Sequence, residues 1–194
     1  MITMGGNPKQ MHLAEIEINK RQGDKMTIWY MNLKDNRKDG LCNADEELKF
    51  RICKEKSMLG IGWGLNACFP SWNAYRELAD LYYENDKGYA AAVNALEKIA
   101  CGDLVWVQQP AKHTWYLAQV TDDKPSLCCC LREFDLYGYR KAEFYRIDED
   151  QLNRFCLSQE KRSGRHTIEK AKSQSVIDAT GNLLQTIQPP QSKG

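Results

Sequence analysis

The chain has 194 residues, of which 42% are apolar and 27% charged, and this composition fits one globular domain with appended segments. Its formal net charge of +1 excludes a globally basic nucleic-acid binder but leaves local basic patches open. The sequence opens without a signal-peptide pattern, has no apolar run approaching ~18 residues, and spaces its eight cysteines neither as a disulfide framework nor as a zinc site. We therefore predict a cytoplasmic protein with no membrane segment, metal or cofactor.

The first part of the chain divides into a polar extension and a strand. Residues 1–25 are mostly polar and are predicted to form an N-terminal extension, with a brief alternation over 12–19 that would suit an edge strand. Residues 26–33 (MTIWYMNL) have the β-branched and aromatic content of a buried strand. Residues 34–42 follow as a charged loop with an Asp-Gly turn signal.

A first helix is predicted from Asn43 to about Ser57, because Asn43 and Glu46 form a variant of the capping box. Helical spacing divides its side chains between two faces. The apolar face carries Leu48, Ile52 and Cys53. The polar face carries Lys49, Lys54 and Glu55.

Three glycines interrupt the next predicted strand, residues 58–65 (MLGIGWGL). A glycine within a strand often marks a place where a ligand or another backbone approaches closely. Two helices follow, the first capped by Ser71 and the second spanning residues 89–100 after a break at Gly88, with Gly102 as its C-cap. The positions with helical spacing are Trp72, Tyr75, Ala79 and Tyr82 in the first helix and Val93, Leu96 and Ile99 in the second.

The most regular stretch of the sequence is a predicted hairpin over residues 101–120. Its first strand, Leu104 to Val107, is continuously apolar, which predicts a central strand covered on both faces. Asp103 lies at the tight turn before that strand, so we interpret it as a turn residue rather than a catalytic acid. His113 lies in the hairpin turn and is interpreted as a solvated loop side chain.

The remaining chain contains two further predicted strands, over residues 126–131 and 142–147, separated by a loop. We interpret the Cys128–Cys130 triplet as small strand residues rather than as a redox site. The predicted domains are the extension 1–25, a core domain 26–150, a basic and partly helical C-terminal segment 151–187 with a helix over 167–184, and a disordered tail 188–194. Together these elements predict an α+β fold, a small antiparallel barrel with helices packed outside it.

The order of parts resembles the PUA-like superfamily, in particular its EVE and YTH branches. The resemblance is carried by Ile28 to Leu33 (IWYMNL), Gly60 to Gly64 (GIGWG) and Gly102 to Trp106 (GDLVW), and it covers about residues 26–147. It implies a PUA-like β-barrel. Members of that superfamily are readers without enzymatic activity that hold one modified, flipped or unpaired base between aromatic side chains.

The resemblance also implies a site. Trp63, between Gly62 and Gly64, would be one wall of the cage, although a core Trp is an equally open interpretation. The edge-reading groups would be Asn32, Lys34 and Asn36, at the end of the first strand. The second wall would come from Phe134, Tyr137 or Tyr139. Stacking on such walls contributes about 1–3 kcal/mol per base.

The basic stretch from Arg154 to Lys172 holds six Lys or Arg and two Glu. It is either a solvated face or a track for phosphates beside a base-binding barrel. The residues predicted to contact a nucleic-acid backbone are Arg140, Lys161, Arg162, Arg165 and Lys170.

Two functions remain open. The first is a nucleic-acid-binding module that recognises a modified or flipped base in DNA or RNA. The second is a protein-interaction module, for example a phage or mobile-element inhibitor of a bacterial defence complex. An enzyme is disfavoured because no Ser-His-Asp, paired-carboxylate or metal-ligand spacing occurs in the sequence. The sequence does not determine an oligomeric state.

Overall fold

The computed structural model describes residues 26–33, 45–155, 157 and 167–187. The predicted extension 1–25, the loop 34–42, the helix start at Asn43 and the tail 188–194 lie outside these residues. The described elements, in chain order, are β1 (Ile28–Met31), α1 (Glu46–Glu55), β2 (Met58–Ile61), α2 (Trp72–Tyr82), α3 (Lys87–Lys98), β3 (Leu104–Gln108), β4 (Trp115–Val120), β5 (Ser126–Leu127), a 3-10 helix (Cys129–Phe134), β6 (Gly138–Ile147), α4 (Glu149–Arg154), β7 (Ile168–Lys170) and α5 (Gln174–Ile187).

One curled sheet organises these elements, in the order β2-β6-β4-β3-β1-β7, with β5 added to β6. The predicted hairpin is confirmed as the antiparallel pair β3–β4. The pair β1–β3 is parallel, which differs from the antiparallel prediction. Parallel neighbours need a long crossover, and here α1, β2, α2 and α3 all lie between the two strands. The fold is thus a mixed α/β structure with a half-barrel sheet.

Side chains alternate between two cores, one on each face of the sheet. Trp29, Val105 and Val107 belong to the core shared with α1, α2 and α3. Leu104 and Trp106 belong to the opposite core, which includes residues of α4 and α5. All four residues from Leu104 to Val107 are 0% exposed, so the prediction of a central strand covered on both faces is confirmed.

The C-terminal part of the chain differs from its predicted form. A helix was predicted over residues 167–184, whereas the structure has strand β7 followed by α5. The free edge of β1 explains the difference, because Asn32 N donates to Thr167 O and Ala171 N donates to Ile28 O, both at 2.8 Å. Residues 168–187, assigned to a separate C-terminal segment, therefore contribute a strand to the sheet and a helix to its second core.

Some predictions for the helices and the strand after them are confirmed, and others are wrong. Ser71 caps α2 as predicted, accepting from Ala74 N, but Tyr82 on that helix is 72% exposed. Helix α3 begins after the N-cap Asp86, and Gly88 lies within it rather than breaking it. The strand predicted over 126–131 ends at Leu127, and the Cys triplet leads into the 3-10 helix instead. None of the described helices has the length and apolarity needed to cross a membrane.

Candidate functional site

A small cavity lies where the two ends of the curled sheet approach each other, and we call it the gap cavity. The residues that line it are Asn32, Leu33, Lys49, Gly60, Ile61, Gly62, Trp63, Asp135, Leu136 and Thr167. Asn32 and Thr167 adjoin β1 and β7, whereas residues 60–63 belong to β2 and its exit, at the opposite end of the strand order. The cavity volume of about 20 Å³ is enough for about one water molecule.

The glycines of the GIGWG stretch are explained by close approach of the chain to itself. A Cβ atom at Gly62 would overlap the carboxylate of Asp135. A Cβ atom at Gly64 would lie 2.8 Å from Tyr137 Cδ2 and 2.8 Å from Arg132 Cγ. The sequence signal for a close approach is therefore correct, and in this structure the approaching group is the segment that contains the 3-10 helix.

A buried ion pair forms one wall of the gap cavity. Lys49 Nζ lies 2.6 Å from Asp135 Oδ2, and the two side chains are 3% and 8% exposed. Lys49 was predicted on the polar face of α1, and this prediction is wrong, because Lys49 is buried together with Phe50 and Cys53. Removal of both charges from water is costly, so the pair depends on its short contact.

Trp63 combines an unusual backbone with an enclosed side chain. Its φ is +61°, a left-handed conformation that costs a bulky residue about 1–3 kcal/mol. Its carbonyl accepts a hydrogen bond of 2.8 Å from the Tyr75 hydroxyl, and its indole Nε1 donates to Asp86 Oδ2 at 2.9 Å. The indole is 8% exposed and contacts the Tyr89 ring edge-on at 6.4 Å. Its ring therefore attaches β2 to the start of α3.

The two tyrosines predicted as a second wall occupy different surroundings. Tyr137 is 1% exposed, its ring lies 5.1 Å from that of Tyr75, and its hydroxyl donates to Ala67 O at 2.7 Å. Burial raises the pKa of Tyr137 well above its ordinary value. Tyr139 is half-buried on β6, opposite Gly60 of β2. Neither residue lines the gap cavity.

The predicted edge-reading groups are described only in part. Asn32 is half-buried and lines the gap cavity. Lys34 and Asn36 lie outside the described residues. The structure thus brings Asn32, Gly62 and Trp63 together at one cavity.

The prediction that Arg140 contacts a nucleic-acid backbone is wrong. It is 0% exposed, and its Nε donates to Asp122 Oδ1 at 2.7 Å. Its other nitrogens donate to the carbonyl oxygens of Leu96, Ile99 and Asp122. Because all three guanidinium nitrogens make these internal hydrogen bonds, Arg140 joins α3 to β6. Its buried side chain presents no surface to a phosphate.

Lys170 is exposed on β7, with its ammonium 6.0 Å from the centre of the Trp29 ring. Its position on the surface is compatible with the predicted phosphate contact. The remaining predicted cations, Lys161, Arg162 and Arg165, lie outside the described residues.

Three side chains interpreted as structural have the predicted surroundings. Asp103 accepts hydrogen bonds from Thr27 N, Trp29 Nε1 and Ala100 N. Trp106 is fully buried, and its Nε1 donates to Thr180 Oγ1. His113 is exposed in the β3–β4 turn with a φ of +52°.

Sequence reasoning missed Lys49 and Asp135, which carry the charge of the site. Lys49 precedes the buried Cys53 by four residues, and this spacing places both on one helix face. Asp135 has no comparable local signal, because its partner lies 86 positions away.

The gap cavity is lined by several hydrogen-bonding groups. Among the described residues, no group of three or more His, Cys, Asp or Glu side chains is arranged to hold a metal ion. The polar lining comes from Asn32, from the Lys49–Asp135 pair and from the main chain of Gly60 and Gly62. Such groups can bind the polar edge of a small planar ligand.

No protein-family model, no curated protein and no solved structure matches this chain.

Proposed function

We propose that this protein is a nucleic-acid-binding module without enzymatic activity, related to the PUA-like readers, that holds one modified, flipped or unpaired base at the gap cavity. The observation that supports this proposal is the convergence of Asn32, Gly62 and Trp63 at one cavity, although their strands lie at opposite ends of the sheet. The resemblance assigns all three residues to base binding.

The chemistry of the cavity suits the polar edge of a base. An Asn side chain presents one donor and one acceptor side by side, and a good bidentate pair contributes about 1–3 kcal/mol to discrimination between bases. Lys49 adds donors, and Asp135 adds an acceptor, on the opposite wall. Lys170 supplies an exposed cation about 10 Å along β7 from Thr167, a distance set by the strand rise.

Base entry requires the gap cavity to open, since its present volume of about 20 Å³ is that of a water site. The Trp63 indole is the group whose movement would enlarge it. That movement breaks the hydrogen bond from Trp63 Nε1 to Asp86 Oδ2. Binding is therefore proposed to be coupled to release of Trp63.

Fluorescence anisotropy of labelled oligonucleotides tests the proposal. The probes are single-stranded DNA, single-stranded RNA, and duplexes with one mismatched or methylated base, at about 50 mM and about 200 mM salt. We expect salt-sensitive binding that Asn32→Ala weakens at least about tenfold, or 1.4 kcal/mol. Asn153→Ala, which changes an exposed Asn on α4, is the matched control. Absence of salt-sensitive binding to every probe would reject the proposal.

A separate pair of variants tests the proposed phosphate contact of Lys170. Lys170→Ala should lower affinity for all probes alike and reduce the salt dependence, because a phosphate contact carries no base information. Lys124→Ala removes an exposed lysine from the β4–β5 turn and is the charge-matched control. Equal effects of both substitutions would indicate diffuse attraction rather than a contact at Lys170.

A second candidate function, a protein-interaction module such as an inhibitor of a bacterial defence complex, is favoured by the surface of α2. Leu78, Leu81 and Tyr82 are 49%, 71% and 72% exposed on this helix. Their spacing places them on one face, and exposed apolar faces often bind other proteins. We call these three residues the α2 strip.

Affinity purification from nuclease-treated lysate tests this second function. A stoichiometric protein partner that Leu81→Asp removes would support it. Ala91→Asp, at an exposed position of α3, controls for added charge. Recovery of no partner, together with specific oligonucleotide binding by the unchanged chain, would exclude it in favour of the first function.

A further inference from the structure

A groove lies between the β3–β4 turn and the start of α4, and we call it the hairpin groove. Its volume of about 480 Å³ is within the range of about 300–1,000 Å³ that is usual for small-molecule sites. The turn contributes Lys112 and His113 to its lining, and β4 contributes Trp115. The end of β6 and the first turn of α4 form its other side.

The inner wall of the hairpin groove is apolar. Ile147 and Leu152 line it, and both are buried in the second core of the sheet. Trp115 packs against the same core and is half-buried. Its ring contacts that of Trp106 edge-on, with the centroids 6.2 Å apart. This contact fixes the plane of the Trp115 ring, and an aromatic ring positioned at a groove can stack on a flat ligand.

Hydrogen bonds hold the turn that forms one side of the groove. Gln109 N donates to Thr114 O at 2.8 Å across the turn. The Glu47 carboxylate of α1 accepts from Gln109 Nε2 at 2.6 Å and from Ala111 N at 3.1 Å. His113 has a φ of +52°, and such a backbone persists only where its surroundings hold it. The turn is therefore fixed without a ligand, which reduces the entropy cost of binding one.

The charged groups of the groove lie on two sides. Lys112 is on the turn, and Glu149 is in the first turn of α4. Both are exposed, and neither takes part in a salt bridge within the described part of the chain. Asp148 differs, because its carboxylate is the N-cap of α4 and accepts from Gln151 N at 2.7 Å. The groove thus offers a cation on one side and a carboxylate on the other.

Trp115 lies between these two charges. It follows the turn, and its register partner in β6 is Ile147, two residues before Glu149. Arg146 also borders the groove, but it precedes Ile147 in a strand, so alternation directs its side chain to the opposite face of the sheet. Lys112 is therefore the cation on which the inference rests.

We propose that the hairpin groove binds one nucleotide, with its base stacked on Trp115, its phosphate paired with Lys112 and an amino group of the base donating to Glu149. Stacking on an aromatic ring accepts any base, and a lysine ammonium binds phosphate as a point charge. A carboxylate accepts from the amino group of cytosine or adenine. The nucleotide is either free or one unit of a single strand, since both share this chemistry. The inference stands on the groove itself and does not require the gap cavity to bind a base.

Isothermal titration calorimetry of the full-length protein tests the inference. The probes are cytidine monophosphate, uridine monophosphate and cytidine, at about 50 mM salt. Cytidine lacks the phosphate, and uracil has a carbonyl oxygen where cytosine has its amino group. We expect cytidine monophosphate to bind at least about fivefold more tightly than either of the other two.

Matched variants separate the three contacts. Trp115→Leu should weaken the binding of cytidine monophosphate about tenfold, and Trp115→Phe, which keeps an aromatic ring, should weaken it less. Lys112→Ala should remove the preference for the monophosphate over cytidine. Glu149→Gln should remove the preference for cytosine over uracil, because an amide also donates. Lys124→Ala, at an exposed position of the β4–β5 turn, should change neither preference. Circular dichroism confirms that each variant is folded.

A short single strand of cytidylates distinguishes the two sources of the nucleotide. If it binds more tightly than the monophosphate, and Trp115→Leu weakens both, the groove takes one unit of a chain. If it binds no more tightly, the groove takes a free nucleotide. Asn73→Ala, at an exposed position of α2, is added as an amide control to every oligonucleotide comparison, because Asn153 borders the groove.

Two outcomes would overturn the inference. One is absence of mononucleotide binding, and the other is binding that both Trp115→Leu and Lys112→Ala leave unchanged. If either occurred while oligonucleotides bound in a manner that depends on Asn32, the hairpin groove would be rejected and the gap-cavity proposal would stand. Mononucleotide binding without any effect of Asn32→Ala on oligonucleotides would reject the gap cavity alone.

Discussion

Two carboxylates are buried to nearly the same extent in this protein but have different partners. Asp103 is 6% exposed and Asp135 is 8% exposed. Asp103 accepts from three neutral N–H groups, Thr27 N, Trp29 Nε1 and Ala100 N, at 2.9, 2.9 and 3.0 Å. Asp135 lies 2.6 Å from the buried ammonium of Lys49, in a left-handed conformation with φ at +54°.

This difference distinguishes Asp103, which stabilises a turn of the chain, from Asp135, which belongs to the candidate site. Around Asp103, main-chain and indole donors stabilise one charge, and its contacts join the end of α3 to β1 and β3. Around Asp135, two charges are buried, a residue has positive φ, and Gly62 leaves no room for a side chain. Features of this kind lower stability and concentrate at functional sites. This is why the Asp135 region, and not the Asp103 region, is the candidate site.

The largest expected effect comes from separating the two charges at the gap cavity. Lys49→Met leaves Asp135 buried without its cation and should lower the free energy of unfolding by about 3–5 kcal/mol. Chemical denaturation measures the loss. The double variant Lys49→Met with Asp135→Asn should recover more than half of it, because Asn tolerates positive φ and carries no charge.

Equal destabilisation of the single and double variants would contradict this account of the pair. In that case the methionine itself, rather than the unpaired carboxylate, would be the cause of the loss.

A smaller effect is expected from Gly62→Ala, which tests the crowding on the same wall. The new methyl group would overlap the Asp135 carboxylate, so we expect a loss of about 2–3 kcal/mol in unfolding free energy. Gly181→Ala is the matched control, because its methyl group meets only Met26 Cε at 3.7 Å and its position is inside α5. That substitution should stabilise the protein by about 0.5–1 kcal/mol. If Gly62→Ala left the free energy of unfolding unchanged, Asp135 would be able to move away from the new methyl group at little cost.

The same contrast explains which features the sequence could reveal. Asp103 was recognised as a turn residue because its signal is local, a glycine directly before it and an apolar strand after it. The continuous apolar run from Leu104 to Val107 likewise predicted a strand covered on both faces, and this is confirmed.

The candidate site was predicted only in part because its contacts are long-range. The glycines around Trp63 indicated a close approach but not what approaches, since Asp135 lies 73 positions after Gly62 in the sequence. The Cys triplet was interpreted as strand residues because small apolar side chains suit strands, whereas the structure has a turn of 3-10 helix there. The ion pair does not exist until distant segments pack together.

The smallest expected effect comes from Asp103→Asn, and the same substitution at Asp135 gives the most direct comparison. Asp103→Asn keeps one side-chain oxygen but replaces the other with an amide that cannot accept from an N–H group, so the free energy of unfolding should fall by about 1–2 kcal/mol. Asp135→Asn, in contrast, leaves the Lys49 ammonium buried without its carboxylate and should cost about 3–5 kcal/mol. Both losses are measured by chemical denaturation at neutral pH. If Asp103→Asn were the more damaging of the two, the neutral donors around Asp103 would hold more of the stability than the ion pair does, and the gap cavity would lose its distinction as the strained region of the fold.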